Sequence, residues 1–282
     1  SSDLRDQRHA ILIGNPVSHS LSPLMHNTAA SHWQIPLQYE VVEVKEHELS
    51  ELIAALNNNN LAGANITIPY KNNFLEIVDD LTPEARQIEA VNTLYKEGQG
   101  RRLIGDNTDA YGFASPINDL EFDLAGERAI IFGTGGATKA IIHVLNKMGI
   151  AEIVLVSRSP GRRSLPGADL EPHMTITDYS AWSAYAEEAA IIINATPLGM
   201  SPNVAQSPVQ PTETTLLSGK ICYDIVYNPI QTTFLKQAEE AGAETIGGIE
   251  MLIHQGSKSF KRWTEKEFPV EIIRKKLMQH FT

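Results

Sequence analysis

The sequence predicts an α/β protein of two domains, and three observations lead to this prediction. The chain has 282 residues, which is too long for one ordinary hydrophobic core. Short strand-type runs alternate with helical patterns along almost the whole chain, which is typical of helix-covered, mostly parallel sheets. The alternation starts afresh after Ser115–Arg128, a polar stretch that contains a proline, a glycine and several acidic residues. We interpret this stretch as the junction between the domains.

The first series has the order strand, helix, strand, helix, strand. Its predicted strands are His9–Ile13, Gln38–Val44 and Asn65–Ile68, and its predicted helices are Leu24–Trp33 and Leu49–Leu56. Because a helix connects each pair of successive strands, we expect a mostly parallel sheet with helices packed on it.

The third predicted strand lies in the stretch "GANITIPYK", which is Gly63–Lys71. Ile66 and Ile68 alternate with Thr67, so we expect both isoleucines to face the core and Asn65 to share the opposite face with Thr67. The proline that follows ends the strand, because it has no N–H to donate to a sheet. The lysine at the end of the stretch, taken alone, is most simply interpreted as a solvated turn residue.

The second series begins after the junction. Its predicted strands are Ala129–Phe132, Glu152–Val156, Ala190–Asn194 and Ile221–Val226. The stretch Thr138–Met148 has helical spacing, and Gly149 stands where a helix-ending glycine is expected. From about Ile249 onward the pattern is helical and lacks strand runs.

Composition and charge argue against several classes of protein, including those that bind nucleic acids or membranes. The formal net charge is −11 and the sequence pI is about 5.3, so a phosphate backbone or an anionic membrane surface would repel the chain. The single cysteine, Cys222, lies in an apolar run and allows no internal disulfide, which suits a reducing compartment. No apolar run approaches the ~18–20 residues that a membrane helix needs, and the first residues are polar. We expect a soluble, cytoplasmic protein with a small-molecule substrate and no nucleic-acid partner, no membrane and no metal.

A glycine-rich turn, Gly133–Ala137, follows the first strand of the second series and precedes its helix. Glycines permit the tight turn and let backbone N–H groups approach a pyrophosphate at a helix N-terminus. Thr138 stands where the usual third glycine would be, so the dinucleotide-binding fingerprint is only partly met. The pattern favours dinucleotide binding, and an ordinary strand–helix turn is the alternative.

The residues after the next strand indicate which dinucleotide fits. The chain continues there as Ser157-Arg158-Ser159 and then Arg162-Arg163, with no acidic residue to accept from a ribose 2′-hydroxyl. A guanidinium matches a 2′-phosphate in charge and in donor geometry. In a chain of net charge −11 the cluster favours NADP(H) over NAD(H). A solvated basic loop is the alternative.

Several segments together resemble the shikimate dehydrogenase family, in the family's order and over nearly the whole chain. They are Gly14–Pro23 with His26-Asn27, Asn65–Lys71, Ala90–Leu94, Gly105–Asp109, Gly133–Ala137, Asn194–Met200, Asp224–Pro229, and Gly248–Leu252 leading to Gln255. The resemblance implies NADPH-dependent reduction of 3-dehydroshikimate to shikimate, in the route to chorismate and the aromatic amino acids. It also implies a substrate-binding domain from residues 1–114 completed by C-terminal helices 249–282, with a Rossmann-type, doubly wound NADP-binding domain over 115–248.

The resemblance also implies which residues form the site, with Lys71 and Asp109 as the catalytic pair. The implied substrate-binding residues are Ser20, Ser22, Asn65, Thr67, Lys71, Asn92, Asp109, Tyr227 and Gln255. The implied cofactor-binding residues are Gly133, Thr134, Gly135, Gly136, Ala137, Ser157, Arg158, Ser159, Arg162, Thr196, Ile225 and Gly248. A ring that carries hydroxyls and a carboxylate needs short hydroxyl donors, amides and one group that handles a proton, and this set supplies them.

Two details follow from the residue types. Ser20 and Ser22 lie two residues apart, so in an extended segment both hydroxyls would face one side and suit a carboxylate. Capping of the following helix is the alternative.

Hydride transfer to a ketone leaves an alkoxide, and the Lys71 ammonium would either protonate it or stabilise it while water supplies the proton. Asp109 would orient Lys71.

The chain departs from the family pattern at a few positions, and two rival functions stay open. Thr134 replaces a usual alanine, Glu89 replaces a usual glycine, serines flank Arg158 in place of the usual asparagine and threonine, and Gly256 replaces a common alanine. One rival is an NAD-using quinate/shikimate dehydrogenase, against which Arg158 argues. The other is a catalytically silent nucleotide-binding sensor, which would have no need of a lysine–aspartate pair. We expect a monomer or a homodimer.

Overall fold

The structure is a computed structural model that describes residues 8–56, 60–98, 102–159, 164–165 and 168–281. It divides into two compact units. Unit 1 consists of the chain up to Gly112 together with Ile253–His280, and unit 2 consists of Phe113–Leu252. Among the described residues, none of the helices combines the length and the apolar character that a membrane crossing requires.

Strands and helices alternate through both units. The strands are β1 (Arg8–Gly14), β2 (Leu37–Glu43), β3 (Leu61–Ile66), β4 (Asp80–Leu81), β5 (Thr93–Glu97), β6 (Arg102–Asp106), β7 (Arg128–Phe132), β8 (Glu152–Val156), β9 (Ser164–Leu165), β10 (Ala168–Asp169), β11 (Met174–Thr177), β12 (Ala189–Asn194), β13 (Ile221–Asp224) and β14 (Glu244–Ile246). The helices are α1 (Ser22–His32), α2 (Leu49–Ala55), α3 (Pro83–Ile88), α4 (Asp109–Asn118), α5 (Thr138–Lys147), α6 (Ser183–Ala186), α7 (Thr233–Glu240), α8 (Gly248–Thr264) and α9 (Val270–His280).

Unit 1 contains a six-stranded sheet in the order β2-β1-β3-β5-β6-β4. The three predicted strands, β1, β2 and β3, run parallel to one another, but β5 runs antiparallel to both β3 and β6, so the sheet is mixed. The register places Asn65 opposite Thr93, and Thr93 opposite Asp106. Directly paired residues project from the same face of a sheet, so these three polar side chains form one row across it.

The third strand differs from the prediction at its end. β3 stops at Ile66, which is 2% exposed, whereas Ile68 is 66% exposed, so the expectation that Ile68 faces the core is wrong. The reason is a turn closed by the hydrogen bond from Tyr70 N to Thr67 O at 2.9 Å, which ends the alternation before Ile68. Tyr70 is buried there instead, with its hydroxyl donating to Val44 O at 2.6 Å.

Unit 2 is built on a six-stranded sheet in the order β11-β8-β7-β12-β13-β14, and every pair is parallel. Counted along the unit, the order is three-two-one-four-five-six, the doubly wound arrangement with a topological switch between β7 and β12. Its core packs the apolar sheet residues against helices, with Ile130, Val154, Trp182 and Phe234 all fully buried.

Helix ends agree with some of the sequence signals and differ from others. Gly149 has φ +79 directly after α5, as a helix-ending glycine requires. The helix α4 continues to Asn118, so the first residues of the stretch that we interpreted as the junction, Ser115–Arg128, are helical. Ala110, Phe113 and Ile117 are buried at helical spacing, and this apolar stripe carries the helix past Ser115.

Candidate functional site

Lys71 and Asp109 form an ion pair in unit 1. The distance from Lys71 Nζ to Asp109 Oδ2 is 2.5 Å, and the two side chains are 18% and 11% exposed. Lys71 follows the turn after β3, and its carbonyl accepts from Val91 N at 2.9 Å, which ties the turn to the segment before β5. Asp109 is the first residue of α4, with its N–H donating to Asn107 Oδ1 at 3.2 Å. Both backbones are therefore fixed independently of the ion pair.

Asn92 supplies a second contact to the same carboxylate. Its Nδ2 donates to Asp109 Oδ1 at 2.8 Å, while its Oδ1 accepts from Thr108 N at 2.7 Å. An ionised carboxylate only accepts hydrogen bonds, so the Asn92 amide must present its nitrogen to Asp109. One oxygen of Asp109 thus faces an ammonium and the other faces an amide, an arrangement that holds Lys71 Nζ in place.

The predicted substrate residues near α1 are arranged differently from the expectation. The chain turns into α1 at Leu21, with φ −86 and ψ −5, so the segment Ser20–Ser22 is not extended. Ser20 Oγ accepts from Ser22 N at 3.2 Å, and the buried Ser22 hydroxyl is hydrogen-bonded to the Tyr39 hydroxyl. The expectation that both hydroxyls face one side of an extended chain is therefore wrong, because the helix begins at Ser22 itself.

Asn65 is 5% exposed and already hydrogen-bonded within the protein. Its Oδ1 accepts from the Tyr39 hydroxyl at 2.9 Å, and its Nδ2 has Asn92 O, Thr93 Oγ1 and Ser259 Oγ within 3.2 Å. Burial raises the pKa of the Tyr39 phenol, which keeps this hydroxyl a donor. The Asn65 amide therefore acts first as a link in a buried network.

Thr67, Gln255 and Tyr227 are the remaining predicted substrate residues. Thr67 is half-buried beside Gly14, where an added Cβ would come within 2.4 Å of Thr67 Cγ2. Gln255 is half-buried on α8, and Tyr227 follows β13 in unit 2, where burial raises the pKa of its phenol.

Sequence reasoning missed three buried hydroxyls, which we call the hydroxyl cluster: Thr93, Thr108 and Ser259. Their oxygen atoms lie 2.9–3.2 Å from one another, and all three residues are 0% exposed. Thr93 and Thr108 each neighbour a predicted residue in the sequence. Ser259 lies four residues after Gln255, one helical turn along α8, and that spacing is the signal that would have found it.

The glycine-rich turn in unit 2 has the geometry of an anion cradle. Gly133 has φ +105, and an added Cβ would lie 2.9 Å from Ala195 O, so only glycine fits. At Gly135 and Gly136 an added Cβ would meet nothing within 4 Å, so the turn faces open space. No side chain caps the start of α5 within the described residues, and the first N–H of the helix, that of Thr138, donates to Gly135 O at 3.1 Å. Thr138 is fully buried and its hydroxyl donates to Gly133 O at 3.2 Å.

Arg158 is exposed immediately after β8. Its neighbours are anchored, since Ser157 N donates to Thr177 O at 2.9 Å and Ser159 N donates to Ser157 Oγ at 3.2 Å. Burial raises the pKa of the Tyr179 phenol, and the charge of Arg158 opposes this rise. Arg162, the other predicted arginine, lies outside the described residues.

Three predicted cofactor residues, Gly133, Thr196 and Ile225, follow the carboxyl ends of β7, β12 and β13, and a fourth, Gly248, lies beside Ile225. A Cβ added at Gly133 would be 3.0 Å from Thr196 Cγ2, which places Thr196 beside the glycine-rich turn. Ile225 N donates to Asn194 O at 3.1 Å, and a Cβ added at Gly248 would lie 2.4 Å from Ile225 O. This edge adjoins the topological switch, where doubly wound sheets bind ligands.

The buried Asp224 side chain joins the segments that follow β12 and β13 through hydrogen bonds. It is fully buried, and its carboxylate accepts from Asn194 Nδ2 and Val226 N, both at 3.0 Å, and from Thr232 Oγ1 at 2.6 Å. Burial raises its pKa to about 6, against the opposing effect of these donors. No group of three or more His, Cys, Asp or Glu side chains in the described part of the chain is arranged to hold a metal ion.

The doubly wound sheet with its glycine-rich turn places the chain in the class of two-domain, Rossmann-type α/β proteins. Models of the shikimate dehydrogenase substrate binding domain and of the shikimate 5′-dehydrogenase C-terminal domain match residues 12–94 and 248–278. A shikimate dehydrogenase (NADP(+)) from Synechocystis sp. is 37% identical over 275 residues, covering 95% of this chain and 94% of that protein. The chain therefore belongs to the shikimate dehydrogenase family.

Solved structures of the same fold include enzymes with different cofactors. Shikimate 5-dehydrogenase from Thermus thermophilus, in complex with NADP(H) and shikimate, is 29% identical with a TM-score of 0.83, covering 97% of this chain and 99% of that one. Quinate dehydrogenase from Corynebacterium glutamicum, in complex with NAD, is 26% identical with a TM-score of 0.85 and the same coverage. The fold is thus shared between shikimate and quinate dehydrogenases, and the site has to distinguish them.

Proposed function

We propose that this chain is an NADP-dependent dehydrogenase that interconverts 3-dehydroshikimate and shikimate in aromatic amino acid biosynthesis. The observation that carries the proposal is the Lys71–Asp109 ion pair, braced by Asn92 and shielded from most of the solvent. Membership in the shikimate dehydrogenase family supports it, as do the names of relatives such as the Synechocystis enzyme.

The residues of unit 2 fit NADP(H). The open face at Gly135 and Gly136 and the uncapped start of α5 suit the pyrophosphate. The exposed Arg158 suits the 2′-phosphate, with Arg162 proposed to assist from the same segment. The other proposed cofactor contacts are Gly133, Thr134, Ala137, Ser157, Ser159, Thr196, Ile225 and Gly248. When bound, the cofactor supplies the hydride.

Lys71 and Asp109 handle the charge that develops on the substrate oxygen. As the ketone becomes an alkoxide, Lys71 Nζ either donates a proton to that oxygen or stabilises its charge while water supplies the proton. Asp109 keeps Nζ oriented, because its Oδ2 lies 2.5 Å away while Oδ1 is occupied by Asn92. The pair and its brace thus form a preorganised electrostatic site.

The remaining proposed substrate contacts are assigned by their donor and acceptor groups. The hydroxyls of Ser20 and Ser22 suit the carboxylate, and the ring hydroxyls suit Thr67, Asn92, Asp109 and Gln255. Asn65 belongs to the set through the network that positions Asn92. Tyr227 stays in the set on the strength of the family resemblance alone.

The division of labour belongs to the proposal as well. Residues 1–114 with 249–282 would bind the substrate, and residues 115–248 would bind NADP(H). A cytoplasmic location and a monomeric or homodimeric state are also proposed. The location rests on the lone thiol of Cys222, which is buried. Cell fractionation and light scattering on the purified protein test these two points.

Quinate dehydrogenase is the second candidate, since a quinate dehydrogenase with NAD shares the fold at a TM-score of 0.85. Arg158, with no acid beside it at the end of β8, favours NADP-linked chemistry instead. Comparing kcat/KM for NADP⁺ and NAD⁺, each with shikimate and with quinate, separates the candidates. A preference for NAD⁺ with quinate would replace the proposed function with this one.

The direct test is an absorbance assay that follows NADPH oxidation in the presence of 3-dehydroshikimate. We expect NADPH loss that depends on both reactants and yields shikimate in equal amount. NADPH binding without turnover would instead indicate a nucleotide-binding sensor.

A further inference from the structure

The hydroxyl cluster lies directly behind the contact between Asn92 and Asp109. Thr93 Oγ1 donates to Asn92 Oδ1 at 3.0 Å, and Asn92 Nδ2 donates to Thr108 Oγ1 at 3.0 Å. Ser259 Oγ lies 2.9 Å from Thr93 Oγ1 and 3.2 Å from Thr108 Oγ1. The cluster therefore touches both ends of the amide that braces the carboxylate.

The direction of the hydrogen bonds can be followed from the carboxylate outward. Asp109 only accepts, so Asn92 presents Nδ2 to it, and the second Nδ2 proton points to Thr108. Asn92 Oδ1 must then accept, which it does from Thr93. The three hydroxyl protons have two arrangements. In one, Thr108 donates to Ser259 and Ser259 donates to Thr93, which closes a ring of bonds from Asn92 Nδ2 back to Asn92 Oδ1. In the other, the Ser259 proton goes to Gln255 O at 3.1 Å, and the ring is open between Ser259 and Thr93. Hydrogen bonds in the closed ring polarise one another.

Ser259 connects this ring to two further parts of the site. Its Oγ also accepts from Asn65 Nδ2 at 3.0 Å, which joins β3 to the ring. It lies 3.1 Å from Gln255 O, one turn earlier on α8, and this carbonyl is the other acceptor within its reach. Ser259 is thus the member of the ring that comes from α8, the helix that carries Gln255.

We propose that Ser259 is a positioning residue for the reaction. It holds the amides of Asn65 and Asn92 in one orientation and so keeps Asp109 and Lys71 aligned. A flipped Asn92 amide would turn its oxygen toward the Asp109 carboxylate, where the two acceptors repel. This inference rests on the proposed function for its catalytic consequence, but the orientation of the amide is measurable without catalysis.

The test compares Ser259→Ala with Ser257→Ala. Ser257 lies on the same helix, and its hydroxyl donates to a backbone carbonyl, His254 O, at 2.7 Å. The control therefore removes one helix hydroxyl without touching the ring. Two quantities are measured for each variant: kcat with 3-dehydroshikimate and NADPH, and the solvent exchange of the Asn92 side-chain amide protons by NMR of the protein alone.

We expect Ser259→Ala to lower kcat by about 5- to 10-fold, the effect of losing one buried hydrogen bond, and to leave KM for NADPH unchanged. Exchange of the Asn92 amide protons should accelerate, and Ser257→Ala should change neither quantity. Ser259→Cys, which keeps a weak donor of similar size, should lie between Ala and the native protein. The double variant Ser259→Ala/Thr93→Val should lower kcat by less than the product of the two single-variant reductions, because both substitutions break the same network of hydrogen bonds.

Equal kcat and equal Asn92 exchange in the Ser259 and Ser257 variants would overturn the inference. So would a loss of thermal stability in Ser259→Ala with native kcat per folded molecule, because that result means a purely structural role. If the native protein does not reduce 3-dehydroshikimate but Asn92 exchange still accelerates only in the Ser259 variants, the positioning of Asn92 stands and the proposed function fails.

Discussion

Lys71 Nζ and Asp109 Oδ2 lie 2.5 Å apart, although 38 positions separate the two residues in the sequence. The turn after β3 carries the lysine, and the start of α4 carries the aspartate. Asn92 Nδ2 donates to the other carboxylate oxygen, Oδ1, at 2.8 Å. The carboxylate therefore cannot rotate without losing one of its two contacts. The three residues therefore act as one unit.

Replacing Asp109 by asparagine tests whether the carboxylate orients the lysine. The neutral amide keeps the shape but removes the charge that holds the ammonium, so we expect kcat to fall by ~10²–10³-fold. NADPH binding, measured by fluorescence, should stay native because the proposed cofactor contacts lie in unit 2. Asp178→Asn, at a half-buried aspartate of unit 2 that bonds Ser180, is the matched control. Native turnover in Asp109→Asn would remove Asp109 from the catalytic pair.

Arg158 should set the choice between NADP and NAD. We expect Arg158→Ala to lower kcat/KM for NADP⁺ by about 10-fold or more, through loss of a charge-assisted hydrogen bond to the 2′-phosphate, and to leave NAD⁺ kinetics unchanged. Arg102→Ala is the control, since Arg102 is a half-exposed arginine of unit 1 that pairs with Asp80 and Glu97. An equal effect on both cofactors would contradict the assignment.

His26 should make the protein sensitive to acid. It is fully buried, stacked on Tyr39 at a ring distance of 4.4 Å, and burial lowers its pKa to about 3 from 6.5. The unfolded chain therefore takes up a proton below about pH 6.5 and the folded protein does not, so stability is complete above that pH and falls as the pH drops. Between about pH 7.5 and pH 5 this loss is about 2 kcal/mol.

The variant His26→Leu should lack this dependence. Urea unfolding at the two pH values measures it, with His19→Leu, at an exposed histidine, as the control. The pH-dependent loss of unfolding free energy should shrink in His26→Leu and stay native in His19→Leu. An unchanged loss in His26→Leu would mean that His26 is not kept neutral by burial.

Asp224 should make the free energy of unfolding depend on pH in the opposite direction. Burial raises its pKa to about 6, so the folded protein holds this proton more firmly than the unfolded chain, whose value is 3.8. The contribution to stability is therefore present at low pH and is lost as the pH rises through about 6. In Asp224→Asn the unfolding free energy, relative to the native protein, should rise by about 2 kcal/mol between about pH 4 and pH 7.5. If the difference in unfolding free energy between Asp224→Asn and the native protein does not change across this range, burial does not raise the pKa of Asp224.

Much of the fold was predictable because local patterns and the final structure agree. The strand–helix alternation predicted the parallel strands of both units, and the β7 run followed by glycines predicted the turn at Gly133. The prediction for Ile68 failed because alternation alone does not show where a strand stops; the turn from Thr67 to Tyr70 stops it. β5 and β6 were not predicted, although they carry Thr93 and Asp106 into the site.

For the site as well, sequence patterns identified residues in local motifs and not contacts between distant parts of the chain. Motifs marked Lys71, Asn92 and Asp109 because each lies in a short recognisable segment. Ser259 lies outside these motifs, and only its spacing of four residues from Gln255 marks it in the sequence. Its contact with Asn65 spans 194 positions and depends on where α8 lies. The extended arrangement expected at Ser20 and Ser22 failed for a local reason, because α1 starts at Ser22.

The most direct test of the central claim is the turnover of Lys71→Ala, measured together with its affinity for NADPH. We expect kcat to fall by ~10²–10⁴-fold, because the ammonium that protonates or stabilises the substrate oxygen is lost, while the Kd for NADPH stays native. Lys261→Ala, which removes an exposed lysine paired with Glu267, is the control for surface charge. Near-native turnover in Lys71→Ala would contradict the account and return Lys71 to the role of an ordinary turn lysine.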